Sequence, residues 1–110
     1  MNIRNKIELT HIQEDDWFML EIINKRVGNV IKNQCDNVIR INKIKVNYSD
    51  FPIIGEHYTI SFSLRIKEYI GFSDVHKEYT ERFNININDS ELKSLRRKFK
   101  INNILREDDN

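Results

Sequence analysis

The stretch HYTISFSLRIKEYIGFSDVHKEYTERFNINI, residues 57–87, decides the fold. In its first arm Tyr58, Ile60, Phe62, Leu64 and Ile66 alternate with His57, Thr59, Ser61, Ser63, Arg65 and Lys67. Side chains on a strand point to opposite faces with period two, so this arm is a strand with one dry and one wet face. The second arm carries its apolar residues at odd positions: Val75, Tyr79, Phe83, Ile85 and Ile87. Between the arms, Gly71, Ser73 and Asp74 supply turn chemistry. The two arms read as one long β-hairpin.

The register follows from the side chains. Setting Ile70 opposite Val75 places Phe62 on Phe83, Ile60 on Ile85, Ile66 on Tyr79 and Tyr58 on Ile87. It also sets Lys67 against Glu78 and Glu68 against Lys77. A slip of two residues spoils both charge pairs. Each cross-strand pair contributes only ~0.2–1 kcal/mol, but all of them favour the same alignment. A hairpin alone is marginal, so its dry face needs a covering layer from the rest of the chain.

Working outward, residues 38–47 form a strand with a fault in its alternation. Ile39 and Ile41 share one face, whereas Ile44 and Val46 share the other. A one-residue bulge near Asn42 would bring all four to one side. Residues 48–56 read as a loop broken by Asp50 and Pro52, with Gly55 turning into the hairpin. Residues 2–10 alternate through Ile3, Ile7 and Leu9, which suggests another strand.

Residues 11–31 admit two readings. As a helix, the segment has Thr10 and Gln13 in a capping-box arrangement and acids at 14–16 in the first turns. Met19, Ile23, Val27, Val30 and Ile31 then recur at helical spacing, and Trp17 is a core residue. As a strand over 16–25, the run Trp17-Phe18-Met19-Leu20 would be buried on both faces, and the β-branched residues fit. The sheet needs a cover, which favours the helix. A second helix begins at Asn88 or Asp89 with Glu91 close behind. Leu92, Leu95 and Phe99 form its apolar stripe, and Asn102-Asn103 should end it near 101. Residues 102–110 read as a frayed acidic tail.

The expected fold is therefore α+β in a single domain spanning 1–110. Its antiparallel sheet has about four strands, with the 57–87 hairpin central, covered by helices at about 11–31 and 89–101. The alternative is mainly β, with 16–25 as an extra strand.

Composition narrows the function classes. With 18 basic and 17 acidic side chains, the charge is nearly balanced, unlike a general polyanion binder. Cys35 is the one cysteine, so no internal disulfide forms, which favours the cytoplasm. No apolar run approaches a membrane span, and no signal-peptide core precedes the first strand. Alanine is absent while Ile, Asn and Lys abound, the signature of a low-GC genome such as that of a bacterium, its phage or a mobile element.

Five features merit weighing as sites. The basic stripe Lys93, Arg96, Arg97 and Lys100 on the second helix suits phosphates or an acidic partner, against the plainer reading of a solvated face. The wet face of the hairpin, with Arg65 and Arg82, is rich in hydrogen-bonding groups. Its aromatics lie on the dry face, which argues against a base-stacking platform. Glu81 falls on the dry face opposite Leu64, where an unpaired carboxylate is costly, against the plainer reading that the sheet twists open there or a basic residue packs over it. His57 and His76 stand at opposite ends of the hairpin, roughly 40 Å apart, too far to share a metal. Asp15-Asp16-Trp17 becomes a contact spot only if the segment is a turn.

No cofactor or metal site is expected, and no nucleophile stands beside a base. The expected function is a small non-enzymatic protein-binding module of the inhibitor, immunity or phage-type antagonist kind. The alternative is a nucleic-acid binder using the basic C-terminal helix. A strand edge also admits pairing of two copies.

Overall fold

The structure is a computed structural model and describes residues 3–8, 11–34, 37–71 and 75–108. Leu9, Thr10, Cys35, Ser73 and Asp74, to which the sequence reading gave roles, lie outside the described residues. The fold is α+β. One antiparallel sheet holds β1 (Val38–Ile41), β2 (Lys45–Phe51), β3 (Gly55–Tyr69) and β4 (His76–Ile87). Two helices complete it, α1 (Met19–Asn33) and α2 (Asp89–Asp108).

Strand β3 is the axis of the sheet. Residues Tyr58–Ser61 pair with β4 on one side and with β2 on the other. Leu64–Ile66 likewise pair with β4 and with β1. A strand has only two edges, so β1 and β2 lie end to end along one side of β3 and β4 lies along the other. The hairpin register is the one read from the side chains: Phe62 faces Phe83, Ile66 faces Tyr79, Lys67 faces Glu78 and Glu68 faces Lys77. The Ile70 N–H donates to the Val75 carbonyl at 3.0 Å and closes the ladder.

Period two explains the core. Tyr58, Ile60, Phe62, Leu64 and Ile66 are all buried, while the residues between them are only half-buried. Met19, Ile23 and Val27 from α1 and Leu92 from α2 belong to the same apolar cluster. Each such side chain contributes roughly 1.5–3 kcal/mol by leaving water. Phe18 and Phe99 stack at 4.9 Å, joining the start of α1 to α2. The Asn88 side chain accepts the Glu91 N–H at 2.9 Å and caps α2 as expected.

Five details differ from the sequence reading. Residues 48–56 are not a loop: β2 runs on to Phe51 and β3 starts at Gly55, because Tyr48–Phe51 pair with Gly55–Tyr58, and only 52–54 form a turn. Residues 4–6 form a 3-10 turn, and the described residues 3–8 contribute one parallel bridge, Ile7 to Ile44, in place of the expected strand. The alternation there was too short and polar to hold a strand. The faulted strand has two faults: Ile39 is the extra residue between Val38 and Arg40, and the chain breaks between β1 and β2. Ile41, Ile44 and Val46 thereby reach the core, but Ile39 is left exposed. Helix α1 begins at Met19, after a 3-10 turn at Glu14–Asp16, rather than near 11. Helix α2 runs through Asn102-Asn103 to Asp108.

Candidate functional site

The basic stripe of α2 does not form a free cationic surface. Arg96 turns inward. Its Nε donates to Asp16 Oδ1 at 2.9 Å, and its Nη2 donates to Asp16 Oδ2 at 2.8 Å and to Glu56 Oε2 at 2.7 Å. Lys93 pairs with Asp89 one turn earlier at 2.9 Å. Arg97 and Lys100 remain exposed. Arg65 and Arg82 lie on the sheet face turned away from the core, where Arg65 donates to Thr80 Oγ1 at 3.1 Å. The six residues singled out from sequence are thus split between two sides of the molecule, and two of the four on α2 are already neutralised.

Asp16 is the residue that sequence reasoning misplaced. It is 0% exposed, and its neighbour Trp17, expected in the core, is 53% exposed. The phenol of Tyr58 donates to Asp16 Oδ2 at 2.7 Å and accepts the Gln13 N–H at 3.0 Å. The phenol of Tyr48 donates to Glu56 Oε2 at 2.7 Å. Two carboxylates, two phenols and one guanidinium therefore form a connected clamp. It ties the 13–16 turn, the β2–β3 hairpin and α2 together. A buried carboxylate is tolerable when it is paired and hydrogen-bonded on both oxygens, as Asp16 is.

The clamp's electrostatics suit anchoring rather than proton transfer. Hydrogen bonding from Arg96 and Tyr48 holds the Glu56 carboxyl below its ordinary 4.5. The bond to Glu56, aided by desolvation, pushes the Tyr48 phenol up to about 12. Burial, then the bond to Asp16, raises Tyr58 as well. A depressed carboxylate and elevated phenols are poorly matched to general acid–base work near neutrality. Because the folded pKa of Glu56 is depressed, its stabilising contribution is present above about pH 4.5 and is lost as the pH falls through the lower folded value. Urea midpoints followed into the acid range should fall, and Glu56→Gln should remove part of that fall. An unchanged acid limb in the variant would exclude this contribution.

Beside the clamp stands the most exposed apolar feature of the described chain. Strand β2 ends at Phe51, which pairs with Gly55 across a three-residue turn. Phe51 is 51% exposed, Ile53 98% and Ile54 65%. Gly55, the first paired residue after that turn, has φ +84°, a left-handed conformation that glycine adopts without steric cost. The Glu56 N–H next to it donates to Asp89 Oδ1 at 3.0 Å, so the first turn of α2 fixes the hairpin. Interaction with Lys93, then with that N–H, holds Asp89 below its usual range. Trp17 adjoins the same clamp through Asp16. Period-two and helical patterns could not reveal this surface, because the stretch was legible only as a loop.

Comparison with known proteins finds no match: no protein family, no curated protein and no solved structure resembles the chain.

The remaining candidates resolve as follows. Glu81 is exposed at the outer strand rather than buried. His57 stacks on Phe51 at 5.7 Å, and its Nδ1 is buried without a partner among the described residues. His76 lies at the far end, opposite Tyr69. No group of three metal-binding side chains occurs among the described residues. No helix among them is long and apolar enough to cross a membrane. One cationic cleft was not anticipated: Lys6, Arg40 and Lys43 line it with Ile39 and Asn42, at the break between β1 and β2.

Proposed function

We propose that this protein is a small, non-enzymatic protein-binding module that presents the Phe51–Ile54 turn and Trp17 to a partner. The exposure of Ile53 and Ile54 carries the reading. Isolated surface apolar residues are ordinary, but a cluster at the tip of a fixed turn marks a contact surface. Burial of each isoleucine by a partner contributes roughly 1.5–3 kcal/mol. The Glu56–Asp89 hydrogen bond fixes the turn, so little turn entropy is lost on docking. Tryptophan is enriched among interface anchors. The inhibitor, immunity or phage-type antagonist class fits such a small rigid surface, and a cytoplasmic partner fits the single cysteine.

Ile53→Asp and Ile54→Asp are expected to abolish capture of a nuclease-resistant protein from a low-GC bacterial lysate. Their melting temperatures should stay within a few degrees of the parent, since both side chains are exposed. Equal capture by parent and variants would remove the turn from the interface.

The second reading, a nucleic-acid binder, rests on the cleft lined by Lys6, Arg40 and Lys43 rather than on α2. It requires affinity for single- or double-stranded probes that falls steeply with salt and is lost on Arg40→Glu.

A further inference from the structure

We propose that strand β4 pairs with β4 of a second copy of this chain, antiparallel about a two-fold axis at Tyr79, making one continuous sheet.

The two edges of the sheet are unequal. The β1–β2 edge is short, broken and partly engaged, since the Glu8 N–H donates to the Ile44 carbonyl and the Ile44 N–H to the Lys6 carbonyl. The β4 edge is continuous from His76 to Ile87 and pairs on its outer side with nothing among the described residues. Ile70 and Val75 form a hydrogen-bonded pair, so the odd residues of β4 bond inward to β3. The main-chain groups of His76, Glu78, Thr80 and Arg82 therefore point outward.

The hairpin also overhangs its sheet. The last bond to β3 on the β1 side among the described residues is from the Lys67 N–H to the Asn37 carbonyl at 2.8 Å, beyond which β3 and β4 continue as a two-stranded arm. Tyr69, Ile70 and Val75 on that arm are more than half exposed. Two strands alone are marginal, and a third would stabilise the arm.

An open edge invites any strand, and charges on it usually deter pairing. Here Lys77 and Glu81 have that position. They sit on the helix-covered side of β4, exposed, and neither forms an ion pair among the described residues. Glu78 and Arg65, by contrast, already meet at 3.6 Å. Pairing about Tyr79 sets Lys77 of each copy opposite Glu81 of the other. It also sets Val75 opposite Phe83 and Tyr79 opposite its own counterpart. The faces match, since each pair joins residues of like parity. Neighbouring even registers are worse. Centring on Glu78, Glu81 or Arg82 places like charges face to face. Centring on Thr80 sets Lys77 against Phe83 and Glu81 against Tyr79, and the Arg82 it offers to Glu78 competes with Arg65. The edge charges thus reject general partners and accept a second copy.

Sedimentation equilibrium of the parent, Lys77→Glu, Glu81→Lys and an equimolar mixture of the two variants tests this. The parent should dimerise. Each variant alone sets like charges opposite each other twice, which should weaken dimerisation on the order of tenfold or more. In the mixture one copy is acidic at both positions and the other basic at both, so each cross-strand pair again joins opposite charges and association should return. The double variant K77E/E81K, which restores the pairs within one homodimer, should associate like the parent and controls for folding. A monomeric parent, single variants that dimerise like the parent, or a mixture that stays monomeric would each overturn the proposal.

Discussion

Replacing Arg96 with leucine is expected to destabilise the fold by about 3 kcal/mol, the lower end of what breaking a buried ion pair costs. The lower end applies because the guanidinium is 31% exposed, although Asp16 is fully enclosed. The loss comes chiefly from what stays behind. Asp16 would keep only the Tyr58 phenol, and its charge would lie buried without a counter-ion. For a domain of this size the melting temperature should fall by roughly 10–20 °C. Arg97→Leu, one residue on and exposed, should change stability by no more than about 0.5 kcal/mol. Denaturant titration of the two variants checks the contrast. Equal effects would mean that Arg96 is not the anchor of α2.

The second large effect is expected at Gly55. Alanine there must adopt φ +84°, which costs roughly 1–2 kcal/mol for a residue with a Cβ. Its Cβ would also stand 2.5 Å from Asp89 Oδ1. Asp89 must then move, giving up its bond from the Glu56 N–H, a further loss of about 1 kcal/mol. The two parts separate in a double-mutant cycle. The Asp89 Cβ would itself lie 2.9 Å from the new Cβ, so only an Asp89→Gly background removes the clash, and there Gly55→Ala should cost only the backbone part, about 1–2 kcal/mol. Strict additivity of the two substitutions would show that the turn and α2 are not coupled.

These two sites show what was legible in the sequence. The hairpin register was readable because Tyr58 to Ile66 alternate without a fault and two charge pairs exclude a slip. The apolar stripe Leu92, Leu95 and Phe99 was readable for a similar reason, since helical spacing is a local signal. The clamp was not. Asp16 lies 80 residues from Arg96, and nothing local distinguishes it from Glu14 and Asp15. A run of acids before a helix reads as dipole complement, and a tryptophan beside it reads as core, so local pattern reverses the two. The same holds for Arg96, which shares its stripe with Lys93, Arg97 and Lys100 but not its environment. Ile39 and Ile53 show the converse limit. An apolar residue at a bulge or turn is exposed by backbone geometry that the hydrophobic pattern does not encode.

The proposed surface and the clamp belong to one design. Arg96, Asp16, Glu56 and Asp89 commit the charges of three elements to holding the β2–β3 turn in place. Ile53 and Ile54 project from that fixed base. The basic residues that looked most like a binding surface are partly the means by which an apolar one is supported.

The most direct test compares the two surfaces on one retained partner, after nuclease treatment and at low and high salt. Capture by the parent and by the Arg97→Glu/Lys100→Glu variant should be equal and insensitive to salt, and Ile53→Asp should lose it. Capture that survives Ile53→Asp but fails with Arg97→Glu/Lys100→Glu, or that vanishes for the parent once nucleic acid is removed, would contradict the account.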